Sequence, residues 1–161
     1  MDDPAAHSFG GRNTPRTEVM FGRPGLSYVY FVYGMHHCFN VVTMPEGTPE
    51  AVLLRAVAPL EGIEYMRRKL QRPGYDDHQL ANGPGKLCQA LELNSAHNRI
   101  DLANSETLWL ESTLPWDNTQ EVIEGARVGI GDRHDAVHWP LRFALRAHPA
   151  LSPPKFTNYL D

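Results

Sequence analysis

The stretch SYVYFVYGMHHCFNVV, residues 27 to 42, constrains this chain more than any other. Two runs rich in Val, Phe and Tyr suit pleated, half-buried strands, and the Tyr-Gly between them suits a tight turn. LSYVYFV and CFNVV therefore read as paired strands around YGMHH. A lone hairpin is marginal in water, so the rest of the chain must supply strands or helices to cover it.

Those elements are legible downstream. AVLLRAV, residues 51 to 57, reads as a third strand reached through the Gly/Pro-rich link MPEGTPE. PLEGIEYMRRKLQ, 59 to 71, spaces Ile63, Met66 and Leu70 along one helical face and leaves Arg67, Arg68 and Lys69 outward. GPGKLCQALEL, 83 to 93, predicts a second short helix with Leu87, Ala90 and Leu91 on one side. ETLWLES, ARVGIG and WPLRFALRA read as further strands, the last with Leu141, Phe143 and Leu145 alternating against Arg142, Ala144 and Arg146. The sum is an α+β protein, a mixed sheet with helices packed on it. With 161 residues, 42% of them hydrophobic, one core is the expectation, so residues 1–161 are read as a single domain. No run approaches the roughly 18 apolar residues of a membrane span, and MDDPAAHSFGG has neither a basic nor an apolar leader region, so a cytoplasmic protein is expected. Cys38 and Cys88 lie in different elements without metal-ligand spacing and read as reduced, partly buried thiols.

Charge is unevenly placed. A net −4 argues against a protein that coats nucleic acid, yet residues 1 to 70 carry 7 Lys/Arg against 7 Asp/Glu while 71 to 161 carry 8 against 12. The first part holds the loop GGRNTPRTEVMFGRPG, in which Arg12, Arg16 and Arg23 face a single Glu18 amid Thr, Asn and Gly. Such a loop can meet phosphates, and it can equally be a solvated basic loop. In AVLLRAV, alternation sets Arg55 on the face of Leu53 and Val57, where a charge needs a partner or a pocket wall. Asn40 interrupts CFNVV in the same way, and two polar residues in adjacent apolar strands suggest one lined pocket. Lys86 stands at the helix start NGPGKL, an anion-compatible but unspecific arrangement. His36 and His37 are adjacent and point to opposite faces of a strand, so metal chelation is disfavoured. Cys38 beside them raises a Cys-His nucleophile, for which no orienting third group is evident.

Taken together, DPAAHSFGGRNTPRTEVMFGRPGLSYVYFVYGMHHCFNVV, EAVLLRAVAPLEGIEYMR, NGPGKLCQAL, RVGIG and PLRFALR resemble the alkyladenine-type 3-methyladenine DNA glycosylases, nearly end to end and in the family's order. The resemblance implies an α+β domain with a curved, mostly antiparallel sheet and packed helices. It implies a monofunctional base-excision repair enzyme, working as a monomer without metal or organic cofactor, that removes alkylated purines such as 3-methyladenine, and hypoxanthine, from double-stranded DNA. It places Tyr33 as the wedge that fills the hole left by a flipped nucleotide, with Met35 and His36 flanking it. His7, Tyr30, Asn40 and Arg55 become the base pocket, and Arg12, Thr14 and Lys86 contacts to the DNA backbone. The resemblance also implies a strand Val-Glu-Thr-Glu-Ala-Tyr before the segment DPAAH, whose second glutamate activates water and whose tyrosine completes the base sandwich. The sequence opens MDDPAAH, so the catalytic glutamate is expected upstream of Met1, and no residue within 1–161 is assigned that role. Two other readings stand beside the enzyme: a catalytically silent module that recognises extrahelical or damaged bases, and an unrelated aromatic-ligand pocket protein.

Overall fold

The computed structural model describes residues 3–112, 121–131 and 135–151. Its centre is the hairpin. Strand β1 (Ser27–Val32) pairs antiparallel with β2 (His36–Val42), Tyr28 lying opposite Asn40 and Tyr30 opposite Cys38. The turn between them closes when the Met35 N–H donates to the Val32 carbonyl at 3.2 Å. Both central residues, Tyr33 and Gly34, take positive φ, 54° and 69°. That is the handedness a type I′ turn requires to follow the right-handed twist of the strands. Gly34 does this freely, whereas Tyr33 carries a Cβ into the left-handed region at a cost of about 1–2 kcal/mol.

Strand β3 (Ala51–Leu53) joins the far side of β2, giving the order β1-β2-β3 with antiparallel neighbours. The free edge of β1 is covered by residues 97–101: the Ser27 N–H donates to the Ile100 carbonyl, the Arg99 N–H to the Ser27 carbonyl, and the Val29 N–H to the Asn98 side chain. These bonds cover the first half of the edge, where a foreign strand could otherwise pair. Helices α1 (Ile63–Leu70) and α2 (Pro84–Ala90) complete the first part of the chain. One face of the hairpin, with Val29 and Phe39, packs against Leu87 and Cys88 of α2 and against Leu93 and Leu102. The other face, with Tyr28 and Val42, packs against Val19 and Met20 of the 3-10 turn Glu18–Phe21. A second, two-stranded antiparallel sheet pairs β4 (Val122–Gly125) with β5 (Arg142–Leu145).

Several expectations are corrected. The sheets are antiparallel rather than mixed among the described residues. The strand read over 51–57 ends at Leu53, so the alternation that put Arg55 beside Leu53 and Val57 does not apply; Leu53 itself is exposed, and Arg55 sits half-buried in the extended chain beyond β3. The helix read over 59–71 starts only at Ile63, because Gly62 before it takes φ 71°. The second stops at Ala90 rather than 93. ETLWLES is not a strand, and Trp109 and Leu110 lie half exposed. The strand expected over ARVGIG falls instead on Val122–Gly125. In β5 the alternation is reversed at Phe143, which is 59% exposed while Arg142 is partly buried. The two thiols, Cys38 and Cys88, are buried and not joined in a disulfide.

Candidate functional site

Register decides which side chains meet. In a strand, side chains alternate between faces and directly paired residues share one. The pairings Tyr28 with Asn40 and Tyr30 with Cys38 therefore place these four side chains on one face of the hairpin, opposite the face that meets α2. Above that face runs the N-terminal loop. Its position is held by the buried Ser8 hydroxyl, which donates to the Pro49 carbonyl at 2.9 Å, and by Arg127, whose guanidinium donates to both Asp3 carboxylate oxygens at 2.5 and 2.9 Å. Burial alone would raise the Asp3 pKa, but the hydrogen bond and charge of Arg127 and the Ala5 N–H outweigh it and hold the carboxyl below its ordinary range.

The result is an aromatic cluster. His7 Nδ1 pairs with the Tyr28 hydroxyl at 2.7 Å, and the His7 ring meets Tyr30 edge-on with centroids 4.7 Å apart. Tyr28 and Tyr30 lie 5.0 Å apart at a 36° tilt. Asn40, buried, donates through Nδ2 to the Tyr28 carbonyl at 3.0 Å, which fixes the orientation of its amide. Burial pushes the hydroxyls of Tyr28 and Tyr30 above the ordinary tyrosine range, with the neighbouring Cys38 adding to the effect at Tyr30. Both are neutral at physiological pH. Burial likewise raises Cys38, against the opposing pull of Tyr30, Arg16 and Arg55, and pushes Cys88 up to about 12. A protonated, buried thiol is a poor nucleophile, so the Cys-His reading loses its chemistry. Arg55 stands close enough for its charge to act on Cys38 and on Arg142.

The hairpin tip projects away from this cluster. Tyr33 is 79% exposed and Met35 68%, with Phe31 half exposed and leaning on His37 at 4.9 Å between centroids. His36 and His37 part to opposite sides: His37 reaches Ser95, whereas the His36 ring lies so close to Gly85 that a Cβ there would come within 3.1 Å of it. The tip thus rests on the first turn of α2, next to Lys86. The Lys86 ammonium donates to the Asn82 side chain at 2.9 Å and lies 4.4 Å over the Tyr75 ring. In the basic loop, Arg12 is exposed, while the Thr14 hydroxyl is 3.1 Å from that of Thr17, which in turn donates to the Arg12 carbonyl. These hydrogen bonds make 12–17 an ordered ledge rather than a loose coil.

The site residues named from sequence fall into three groups. His7, Tyr30 and Asn40 meet on the cluster, with Arg55 bordering it through Cys38. Tyr33, Met35 and His36 form the tip, and Lys86 follows the glycine against which His36 packs. Arg12 and Thr14 share the ledge. Two members were missed. Tyr28 belongs to the cluster through its hydroxyl, and the period of two in SYVYFV was signal enough to pair it with Tyr30 and Asn40. The sequence shows Arg16 only as part of a basic loop, yet its guanidinium lies 4.7 Å from the Tyr30 centroid; nothing in its own sequence neighbourhood foretells that contact.

The scaffold is α+β, with an aromatic and histidine cluster on one face of the hairpin, an exposed aromatic turn at its tip and the exposed Arg12 on an ordered ledge. The chain belongs to the methylpurine-DNA glycosylase family, whose model matches residues 1–149. It is 49% identical over 160 residues to a protein of Bacillus mycoides (strain KBAB4) provisionally named 3-methyladenine DNA glycosylase, covering 94% of this chain and 77% of that relative. Proteins of Bacillus cereus (strain G9842) and Bacillus anthracis (strain CDC 684 / NRRL 3495) with the same provisional name are each 45% identical over 161 residues, with the same coverage. Among the described residues no helix is long and apolar enough to cross a membrane.

Proposed function

We propose that this chain recognises damaged purines in double-stranded DNA by flipping them into the His7, Tyr28, Tyr30 and Asn40 pocket, and that it belongs to an enzyme hydrolysing the N-glycosyl bond of 3-methyladenine and hypoxanthine. The carrying observation is that one hairpin holds both the aromatic cluster around Tyr30 and, three residues further along, an exposed Tyr33 in a left-handed conformation. Strain of this kind persists where the surrounding structure enforces it, and it clusters at functional positions. Extruding a nucleotide costs a few kcal/mol, least for a damaged base, and a side chain filling the gap recovers part of it. A purine alkylated at N3 or N7 is a cation. Against Tyr30 it gains roughly 0.5–2 kcal/mol of cation–π attraction that an ordinary base lacks. The Asn40 amide offers a fixed polar edge for discrimination, and Arg55 supports the sugar-phosphate side. Arg12, Thr14 and Lys86 hold the DNA backbone, with Met35 and His36 flanking the wedge.

Hydrolysis needs a group that activates water, a role that the family resemblance assigns to a glutamate. Asp3, the carboxylate four residues before His7, is clamped by Arg127 and its basicity is lowered, so it is a poor substitute. That observation favours a second reading for residues 1–161 taken alone: lesion binding with slow excision. A positioned general base contributes about 10²–10⁴-fold, which sets the scale of the difference. Single-turnover assays on duplexes carrying hypoxanthine or 3-methyladenine test both readings, comparing residues 1–161 with a chain extended upstream by a Glu-Ala-Tyr strand. Faster excision by the extended chain is expected for both bases, while both chains bind an abasic-site mimic more tightly than undamaged duplex. Equal affinity for the two duplexes rejects the function. Equal hypoxanthine excision by the two chains places the base inside residues 1–161.

A further inference from the structure

Five arginines differ from Arg16 in what they hold. Arg23, Arg67, Arg99, Arg127 and Arg146 each hold a carboxylate: Asp101, Asp77, Glu18, Asp3 and Glu121 respectively. No carboxylate partner is found for Arg16 among the described residues. Its guanidinium instead lies over the Tyr30 ring at 4.7 Å, and its charge also bears on Tyr28 and Cys38. A cation is therefore already seated on the aromatic surface that the proposed function assigns to a cationic base.

We propose that Arg16 is a specificity-determining placeholder: in the free protein it occupies the face of Tyr30, and a flipped cationic purine must displace it, whereas a neutral purine need not. The inference rests on the base-flipping reading above. Tyr30 is half-buried and Arg16 exposed, and two positive charges in contact on one ring face repel each other well inside the screening length. A planar guanidinium stacks readily on a neutral heterocycle, so hypoxanthine can lie beside Arg16 and keep it as a cover. The displaced side chain has a destination. It is carried on the 12–17 ledge with the exposed Arg12 and the threonine network, on the side where backbone phosphates would pass. An arginine there forms a bidentate phosphate contact. Arg16 thereby tilts the pocket towards neutral lesions relative to what Tyr30, Tyr28 and His7 would choose alone.

The test measures affinity rather than turnover. Duplexes carrying 2′-fluoro-N7-methyldeoxyguanosine (cationic), 2′-fluorodeoxyinosine (neutral) or no lesion resist base loss and are titrated with the wild-type chain, Arg16→Gln and Arg16→Lys. Removing the seated charge should shift the preference towards the cationic base by about three- to tenfold in Arg16→Gln, the scale of one cation–π contact, with Arg16→Lys nearer to wild type. A ratio unchanged within twofold, or shifted towards inosine, overturns the proposal while leaving lesion recognition intact. A wild-type chain that distinguishes neither lesion duplex from undamaged DNA rejects base flipping, and this proposal with it. Proton chemical shifts of the free protein test the seat directly: the Arg16 side chain should show upfield ring-current displacement that Tyr30→Leu abolishes, and its absence overturns the placeholder.

Discussion

Replacing Tyr33 separates a wedge from a core residue by two measurements that move in opposite directions. With 79% of its surface exposed, the ring contributes little burial, so Tyr33→Ala should change folding stability by less than about 0.5 kcal/mol. The backbone gives a second handle. At φ 54° a side chain costs about 1–2 kcal/mol relative to the right-handed region, and glycine largely escapes that cost. Glycine also adds freedom to the unfolded chain, so Tyr33→Gly should be neutral or stabilise by up to about 1 kcal/mol. Affinity for duplex containing an abasic-site mimic should fall for both variants by about 1–3 kcal/mol, the value of one base–aromatic stack, or five- to 150-fold in Kd. Denaturant titrations give the first quantity and fluorescence anisotropy of labelled duplex the second. Tyr28→Ala is the contrast: its side chain is 2% exposed and its loss should cost about 3–5 kcal/mol of stability. The reasoning is refuted if Tyr33→Ala lowers stability by more than about 2 kcal/mol while lesion affinity holds.

Asn40→Ala removes the amide hydrogen bond to the Tyr28 carbonyl, which keeps its ladder partner in β2, and should lower stability by about 0.5–1.5 kcal/mol, read from the denaturation midpoint; no measurable loss contradicts the buried hydrogen bond. Acid stability should depend on Asp101, whose pKa is drawn from 3.8 to about 2 chiefly by its hydrogen bond to Arg23 and then by Asn104. Because the folded value lies below the unfolded one, the stabilisation is complete above the unfolded pKa and is lost as pH falls from 3.8 towards 2. Asp101→Asn should flatten that limb in midpoints measured across the window, and high salt should shrink the difference between the proteins because the pair is exposed.

The hairpin was legible because three independent signals coincide in one short segment: aromatic and β-branched strands, a Tyr-Gly turn and a period of two. Its register then carried Tyr30 and Asn40 to the same face without further information. Arg55 was assigned a face by an alternation that requires a strand, and β3 ends two residues earlier. Apolar periodicity cannot announce where pairing stops, since that depends on how far the partner strand extends. Phe143 misleads for a related reason: alternation marks which residues share a face but not which face meets the core. Arg16 and Tyr30 are fourteen positions apart, on different elements. Their contact is created by the descent of the N-terminal loop onto the sheet, which the anchors Ser8 to Pro49 and Asp3 to Arg127 hold in place.

The left-handed turn at the hairpin tip has a consequence for how such a protein can vary. Direction and reach at position 33 are set by backbone dihedrals and by the strands beneath, while the side chain there takes almost no part in the fold. Position 33 is therefore an exchangeable tool head on a rigid shank. Asn, His or Phe mounted there would project from the same point along the same vector, whereas Val, Ile and Thr, whose branched Cβ resists positive φ, and Pro, whose ring fixes φ near about −65°, are disfavoured. Sequence change at this single position can explore what the tip touches without renegotiating the architecture that carries it.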